Sequence, residues 1–534
     1  MDHPIDPAAP VDPVFPLMEK YICIHGHFYQ PPRENPWLGE IEEQPTAAPW
    51  HDWNQRISDE CYAPNTAVPV DGTGPDDGPA NFNNFSRISF DAGPTLLWWL
   101  ERSRPDIHEA IREADRLGIE RFSGHGPALA QGYNHLIHPL ACSRDRLTQV
   151  IWGISDFRYR FGRDPEGLWL PETAVNTGSL ESLATRGIRF TILGPHQAVA
   201  VREIGSAGWQ RLREGGQESG EQGEDGFTRP EGLDTSMPYL VRLPSGREIS
   251  IFFFDNRIGT EVSFGGLLKD HETFVERLLL DPEHDHGSDR PRLIHFATDG
   301  ETFGHHFKSG EKTLARALAR LESDSEAELT VYGEFLERFP PTHEVRIAEN
   351  TSWSCPHGVE RWRSDCGCAG GRYPESDQAW RLPLREALDW LRDSAAGLFE
   401  RKAGRLLTDP WQARDSYIDV LLDPSSESID RFLAEQSRPG TTLEEARKAL
   451  PLLDIQRYAM LMYTSCGWFF DDPGDIETVQ ILRYAGMVIQ IARAQTGTDL
   501  ESGFLSILKE AKSNEPERGN GATIFEQYVR PYMR

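Results

Sequence analysis

Residues 293–306, LIHFATDGETFGHH, hold a short apolar run that ends in Asp299, Glu301, His305 and His306, with Gly300 and Gly304 between them. An apolar run of this length closed by turn residues reads as a buried strand. A buried strand that feeds acids and histidines into a glycine-punctuated loop before a helical pattern suits a parallel α/β barrel, which gathers its chemistry at the C-terminal strand ends. The unit recurs. Residues 167–176, GLWLPETAVN, deliver Glu172 beside a proline, and residues 21–24 lead to His25 and His27. Residues 190–193 lead to His196, and residues 248–254 lead to Asp255 and Arg257. Helical patterns lie between these strands at 92–115, 143–162, 177–186, 271–280 and 310–321.

A chain of 534 residues exceeds one ordinary domain. The pattern predicts a flexible tail over 1–18, an incomplete TIM-like (β/α)7 barrel over 19–349 and an α-helical domain over 350–534. The β signal fades after about residue 350, and helical patterns run over 382–401, 413–422, 429–436, 443–464 and 476–495. Residues 35–91 read as a long loop over the barrel mouth, with Trp50, Trp53, Asn54 and Tyr62 available to stack on or pin it. Residues 215–232 are a Gly/Glu/Gln-rich excursion.

A net charge of -29 excludes nucleic acid and anionic membrane as natural partners. No signal peptide or membrane-length apolar run is visible. Seven cysteines without a regular framework fit free thiols in a reducing cytoplasm.

Two carboxylates at separate strand ends, Glu172 and Asp299, are the minimum equipment for cleaving a glycosidic bond. For either acid alone, a helix cap or a surface ion pair is the competing reading. His25, His27, Gln30, His125, His138, His305 and His306 are candidate contacts for sugar hydroxyls, or for ordering the carboxylates, with metal binding as the alternative. Glu301 supports Asp299 or caps a turn. Trp169 and Trp353 are sugar platforms or core residues. In residues 464–472, Trp468 and Asp471 either reach the cleft from the helical domain or pack between domains. Cys355, His357, Cys366 and Cys368 have the right atoms for zinc, but their C-x-H and C-x-C spacings are tighter than the usual knuckle. The preferred reading is a Trp- and Arg-rich loop with buried thiols, and no cofactor is implied.

These motifs resemble glycoside hydrolase family 57, which includes α-amylases, 4-α-glucanotransferases and α-glucan branching enzymes. His27-Phe-Tyr-Gln30-Pro31 is similar to the family's first motif, and Gly124-His125 through His138-Pro139 to its second. Trp169-Leu-Pro-Glu172 is similar to the third, whose glutamate is the nucleophile, and Thr298-Asp299-Gly-Glu301-Thr-Phe-Gly304 to the fourth, whose aspartate is the acid/base. Ala348-Glu349-Asn-Thr-Ser-Trp353 resembles the fifth, and Phe252 to Arg257 resembles the family's acidic, Arg-bearing loop. The resemblance implies a seven-stranded barrel, a helical domain closing the cleft, and a retaining mechanism on an α-glucan or oligosaccharide. The stretch from Ser354 to Cys368 departs from the amylases and resembles a subgroup with its own C-terminal domain, whose members tend to continue beyond FEQYVRPYMR.

A retaining mechanism requires Glu172 ionised and Asp299 protonated, their carboxyls roughly 5–6 Å apart. Arg257 and nearby histidines are expected to keep Glu172 charged, and burial against aromatic rings to raise Asp299. The competing function is a metal-dependent hydrolase on a similar barrel, such as a polysaccharide deacetylase or an α-mannosidase-like enzyme.

Overall fold

Lys20–Phe28 is the strand on which the sheet is built. In the computed structural model, which describes residues 20–70, 80–212, 232–279, 290–323, 326–371 and 376–533, every residue of this strand after Lys20 is buried. The tail expected over 1–18 lies outside the described residues, as does the low-complexity stretch except Gly232. Seven parallel strands form the wall: β1 (Lys20–Phe28), β2 (Ser89–Ala92), β3 (Ala128–Gln131), β4 (Leu168–Trp169), β5 (Phe190–Leu193), β6 (Glu248–Phe253) and β7 (Arg292–Asp299). They lie in the order β7-β1-β2-β3-β4-β5-β6. β4 meets β5 through one parallel bridge, Gly167 to Phe190. Between β6 and β7 the described residues form no ladder; the Asp255 N–H donates to the His295 carbonyl at 2.9 Å. The result is an α/β barrel left incomplete at one seam.

The register of β1 sets up the chemistry. His27 stands opposite Asp299 of β7 on one side and Asp91 of β2 on the other. Ile22, Ile24 and Phe28 join the main core, and each gains about 1.5–3 kcal/mol over an exposed position.

Several expectations change in the structure. The predicted helix over 92–115 is two helices, Pro94–Ser103 and Pro105–Arg121, because Pro105 forces Arg104 out of the helical region (φ -140, ψ 64). The supposed loop 35–91 contains strand β2, a short hairpin of Val68–Val70 with Ala80–Phe82, and brief helical turns. An added sheet built from Ala198–Glu203, Gln210–Arg211, Tyr239–Arg242 and His343–Ile347 extends from β6. Its strands are short, and their periodicity is masked by charged residues.

After His343–Ile347 the described residues form no further strand. Arg381–Ala403, Leu450–Leu461 and Ile476–Thr496 make the centre of a helical region with its own core. That core takes in Leu136, Ile137, Trp152 and Ala174 from the barrel side, so the helices are seated on the barrel wall. No helix among the described residues is long and apolar enough to cross a membrane.

Candidate active site

The floor of the site is a buried pair of histidines sharing one aspartate. His25 and His27 alternate by two along β1 and so face the same side. His25 is bonded to Ser89 Oγ (3.0 Å) and Asp91 Oδ1 (3.1 Å), and His27 Nδ1 to Asp91 Oδ2 (2.9 Å). Trp169 stacks on both rings, with centroids 4.9 and 5.1 Å away. Burial alone would drive His27 down, but the charge and hydrogen bond of Asp91, with the charges of Asp299 and Glu301, outweigh it and lift His27 to about 9. His25 is pulled below its ordinary value, chiefly by burial. Asp91 is held below the usual carboxylate range because His27 and His25 outweigh its burial. At neutral pH, His27 is therefore an imidazolium paired with a carboxylate.

A protonated His27 donates at both nitrogens. Nδ1 serves Asp91, and Nε2 lies 3.3 Å from His135 Nε2. Burial and the His27 charge keep His135 far below its ordinary value, so it is neutral. Its other nitrogen reaches Ser465 Oγ of the helical region at 2.6 Å. Both ring nitrogens of His25 and of His27 are thus engaged, and none is offered to a metal in the cleft.

Glu172 follows β4 on a strained turn. It has φ 57 and ψ 23, and the next residue, β-branched Thr173, has φ 48. Two consecutive left-handed non-glycine residues cost about 1–3 kcal/mol each and persist only where the surroundings impose them. Gln197, fully buried, does so: its Oε1 accepts from Thr173 Oγ1 (3.0 Å) and its Nε2 donates to the Thr173 carbonyl (2.9 Å). The Glu172 carboxylate accepts from Ser354 Oγ (2.6 Å) and Trp353 Nε1 (3.0 Å), both on Oε2. Burial raises Glu172, the Ser354 bond lowers it, the Asp299 charge raises it, and Trp353 and His27 lower it, leaving it somewhat above its ordinary value.

Asp299 ends β7 across the same cleft. It is open to solvent through the cleft, yet the surrounding walls limit its hydration and raise it, with His27 opposing and Asp91 adding to the rise. It accepts no protein hydrogen bond among the described residues. Glu301 is fixed behind it, accepting from Tyr62 OH (2.5 Å) and Tyr29 N–H (3.1 Å), and burial lifts it to about 7.

The cleft has a volume of about 1000 Å³ and is lined from both regions of the chain. Of the residues singled out by sequence, His27, Gln30, Glu172, Asp299, Glu301, His305, His306, Trp353 and Asp471 line it. His305 is also tied to Glu60 (2.5 Å), and burial lowers His306 to about 4. Trp53 is at the cleft, whereas Tyr62 is buried against Glu301.

Other candidates lie elsewhere. His125 precedes β3 and is held between Glu166 (2.9 Å) and Glu337 (3.2 Å), at the opposite end of the strands from the cleft. His138 is sealed in the interior, pushed down to about 3 by burial and the Arg146 charge, and so is neutral. His25 and Trp169 are buried and do not line the cleft. Asp255 caps the helix Asn256–Ser263 and binds Arg257 (2.7 Å), so Arg257 is engaged there and His27, not Arg257, is the cation acting on Glu172. Trp468 is a core residue stacked on Tyr463, while its neighbours Phe469, Phe470 and Asp471 face the cleft. Of the four metal-type residues, only Cys355 is buried, which corrects the expectation of buried thiols, and the four ligand atoms converge.

Sequence reasoning missed Asp91, His135 and Ser354 as site residues, and His196, named at a strand end, lines the cleft. Asp91 gave one usable signal, an acid closing a short β-like run just before the Gly93-Pro94 helix start. His135 was visible as a histidine near a strand end, but nothing local separated it from His125.

Comparisons with known proteins identify the family and the fold. The family described as Glycosyl hydrolase family 57 matches residues 24–348, and a Domain of unknown function (DUF3536) matches residues 377–534. The 4-alpha-glucanotransferase of Thermococcus litoralis is 24% identical over 275 residues, 50% of this chain and 35% of that protein. The chain thus spans about a third of the length of the relatives it matches in sequence. The exo-type maltose-forming amylase of Pyrococcus sp. ST04 superposes with a TM-score of 0.67 at 14% identity, covering 97% of this chain and 94% of that one. The branching enzyme of Pyrococcus horikoshii gives 0.54 at 15%, covering 97% of each. At these identities the structural likeness speaks for the fold.

Proposed function

The chain belongs to glycosyl hydrolase family 57, and we propose that it cleaves or transfers glycosidic bonds of an α-glucan with retention of configuration. The observation that carries this reading is the unequal treatment of two carboxyls on one cleft. Glu172 accepts two hydrogen bonds on Oε2, which oppose the rise that burial imposes on it, and its Oε1 has no protein partner among the described residues. Asp299 accepts none and is raised by poor hydration, which favours its protonated form.

In this reading Glu172 attacks the anomeric carbon while Asp299 gives its proton to the departing glycosidic oxygen. The glycosyl–Glu172 ester is then opened by water or a sugar hydroxyl, whose proton returns to Asp299. The His27 imidazolium offsets the charge of Glu172 and Asp299 without supplying a proton, since both its N–H groups are already donated. The barrel, residues 19–349, supplies the reacting groups. The helical region, residues 350–534, forms the facing wall.

The substrate class is inferred from the relatives, whose names are those of α-glucan enzymes, and from the cleft itself. Its volume is at the upper end of the roughly 300–1000 Å³ usual for small-molecule sites. Trp53, Phe254, Phe264, Phe469 and Phe470 offer apolar faces for sugar rings.

The test is a product profile. Incubation with α-1,4 and α-1,6 glucans, maltooligosaccharides and trehalose is expected to give shortened or redistributed chains from at least one substrate, and none with Glu172→Ala. A folded protein that changes none of them, or a Glu172→Ala variant with unaltered turnover, would overturn the reading.

A further inference from the structure

Trp353 and Ser354, the two donors to Glu172, are followed directly by Cys355. The chain then turns, the Gly358 N–H donating to the Cys355 carbonyl at 2.9 Å, passes the short helix Glu360–Trp362, and returns as Cys366-Gly367-Cys368. Gly367, at φ +78, adopts the left-handed conformation that folds this C-x-C segment back on itself. The return gathers three thiols and an imidazole. Cys355 Sγ is 3.9 Å from Cys366 Sγ and 3.8 Å from Cys368 Sγ, and Cys368 Sγ is 3.5 Å from His357 Nδ1. All four atoms lie within 4.8 Å of one another.

The three shortest of these separations are close to those of a single tetrahedral centre. Zinc–sulfur bonds of about 2.3 Å and zinc–nitrogen bonds of about 2.0–2.1 Å put two sulfurs about 3.8 Å apart, and sulfur and nitrogen about 3.5 Å apart. A disulfide needs sulfurs about 2 Å apart and would leave the third thiol and the histidine unexplained. The tight C-x-H and C-x-C spacings do not prevent convergence, because the two pairs come from opposite arms of one loop.

A second observation is independent of the ligand distances. Arg381 is fully buried; the Asp471 charge reaches it, but it makes no carboxylate ion pair among the described residues, and Cys366 and Cys368 also act on it. Its Nη1 points to Cys366 Sγ at 3.8 Å, and its Nη2 to the Phe470 carbonyl at 3.4 Å. A buried guanidinium needs an anion nearby. Three thiolates, one neutral imidazole and a divalent ion sum to one negative charge, which the Arg381 guanidinium, against Cys366, partly offsets.

We propose that Cys355, His357, Cys366 and Cys368 bind one zinc ion, and that the ion clamps the loop presenting Trp353 and Ser354 to Glu172. Four protein ligands leave no open position for water or substrate, so the ion is structural and takes no part in bond cleavage.

The full-length chain, purified without a histidine tag under reducing conditions, is assayed for metal by plasma emission before and after dialysis against zinc. One zinc per chain is expected. Replacement by cobalt(II) is expected to give the intense visible bands and thiolate charge-transfer absorption of a tetrahedral site. Cys366→Ser/Cys368→Ser is expected to lose the metal, and chelation to open residues 355–371 to protease while the barrel resists. The wild-type cobalt spectrum decides the matter if that variant does not fold. Near-zero metal in both preparations, a disulfide between two of the three cysteines in the freshly isolated protein, or full zinc retention in a folded double variant would overturn the proposal.

Discussion

Ser354 donates to Glu172 across 2.6 Å, from a loop that enters the cleft beside the helical region and not from the barrel strand that carries the acid. Removing this donor tests whether Glu172 must be ionised. A hydrogen bond to a charged group is worth about 1.5–3 kcal/mol, so Ser354→Ala should lower kcat/KM roughly 10- to 100-fold near the acidic limb. The loss raises the Glu172 pKa, so the acidic limb of the pH–rate profile should move to higher pH. Profiles of kcat/KM against pH for the wild type and the variant check the sign.

Gln197 imposes the left-handed turn at Glu172–Thr173 without touching the cleft chemistry itself. Gln197→Ala should let that turn relax. Because a displacement of about 1 Å can cost about 100-fold, kcat should fall 10- to 100-fold while KM changes little. A proportional rise in KM with unchanged kcat would contradict this role.

His27 links stability to pH. Its folded-state pKa, about 9, lies above the ordinary 6.5, so its contribution is fully present below pH 6.5 and is lost as pH rises through 9. The shift corresponds to something on the order of 3 kcal/mol. Asp91 acts in the opposite sense: its pKa is depressed, so its contribution is present above the ordinary value of 3.8 and is lost as pH falls through the folded value. Urea unfolding at pH 6 and pH 10 should show a clear drop for the wild type and a flatter response for His27→Gln.

Asp299 is assigned the proton transfer, so its loss should depend on the leaving group. Asp299→Ala should reduce turnover of natural glucans by about 100- to 10,000-fold. An aryl or fluoride leaving group needs no protonation, and its release should be spared. Steady-state rates with both substrate types, measured on the same preparation, separate this role from a general structural one.

That Glu172 and Asp299 stand at strand ends facing one cleft was legible because each ends an apolar run in a Pro- or Gly-marked turn, the local mark of a strand end. Asp91 was not, because its strand has four residues and emerges from an Asn- and Ser-rich stretch that reads as loop. The sequence around His125 has the same histidine-and-glycine character as that around His135, yet the two lie at opposite ends of β3. Only the pairing of strands says which end faces the cleft. Trp468 illustrates a similar limit: within one aromatic turn, helix packing chose which rings became core and which became wall. The Cys/His cluster was visible as composition, but its convergence depends on a loop whose return no local pattern announces.

The central claim is that Glu172 becomes covalently joined to the sugar. A fluorinated glucosyl or maltosyl fluoride that forms the ester quickly and releases it slowly should trap it. Peptide mapping by mass spectrometry should then find one sugar on Glu172 and none on Asp299. A protein that turns over the reagent without any labelled peptide, or that carries the label on another residue, would contradict the account.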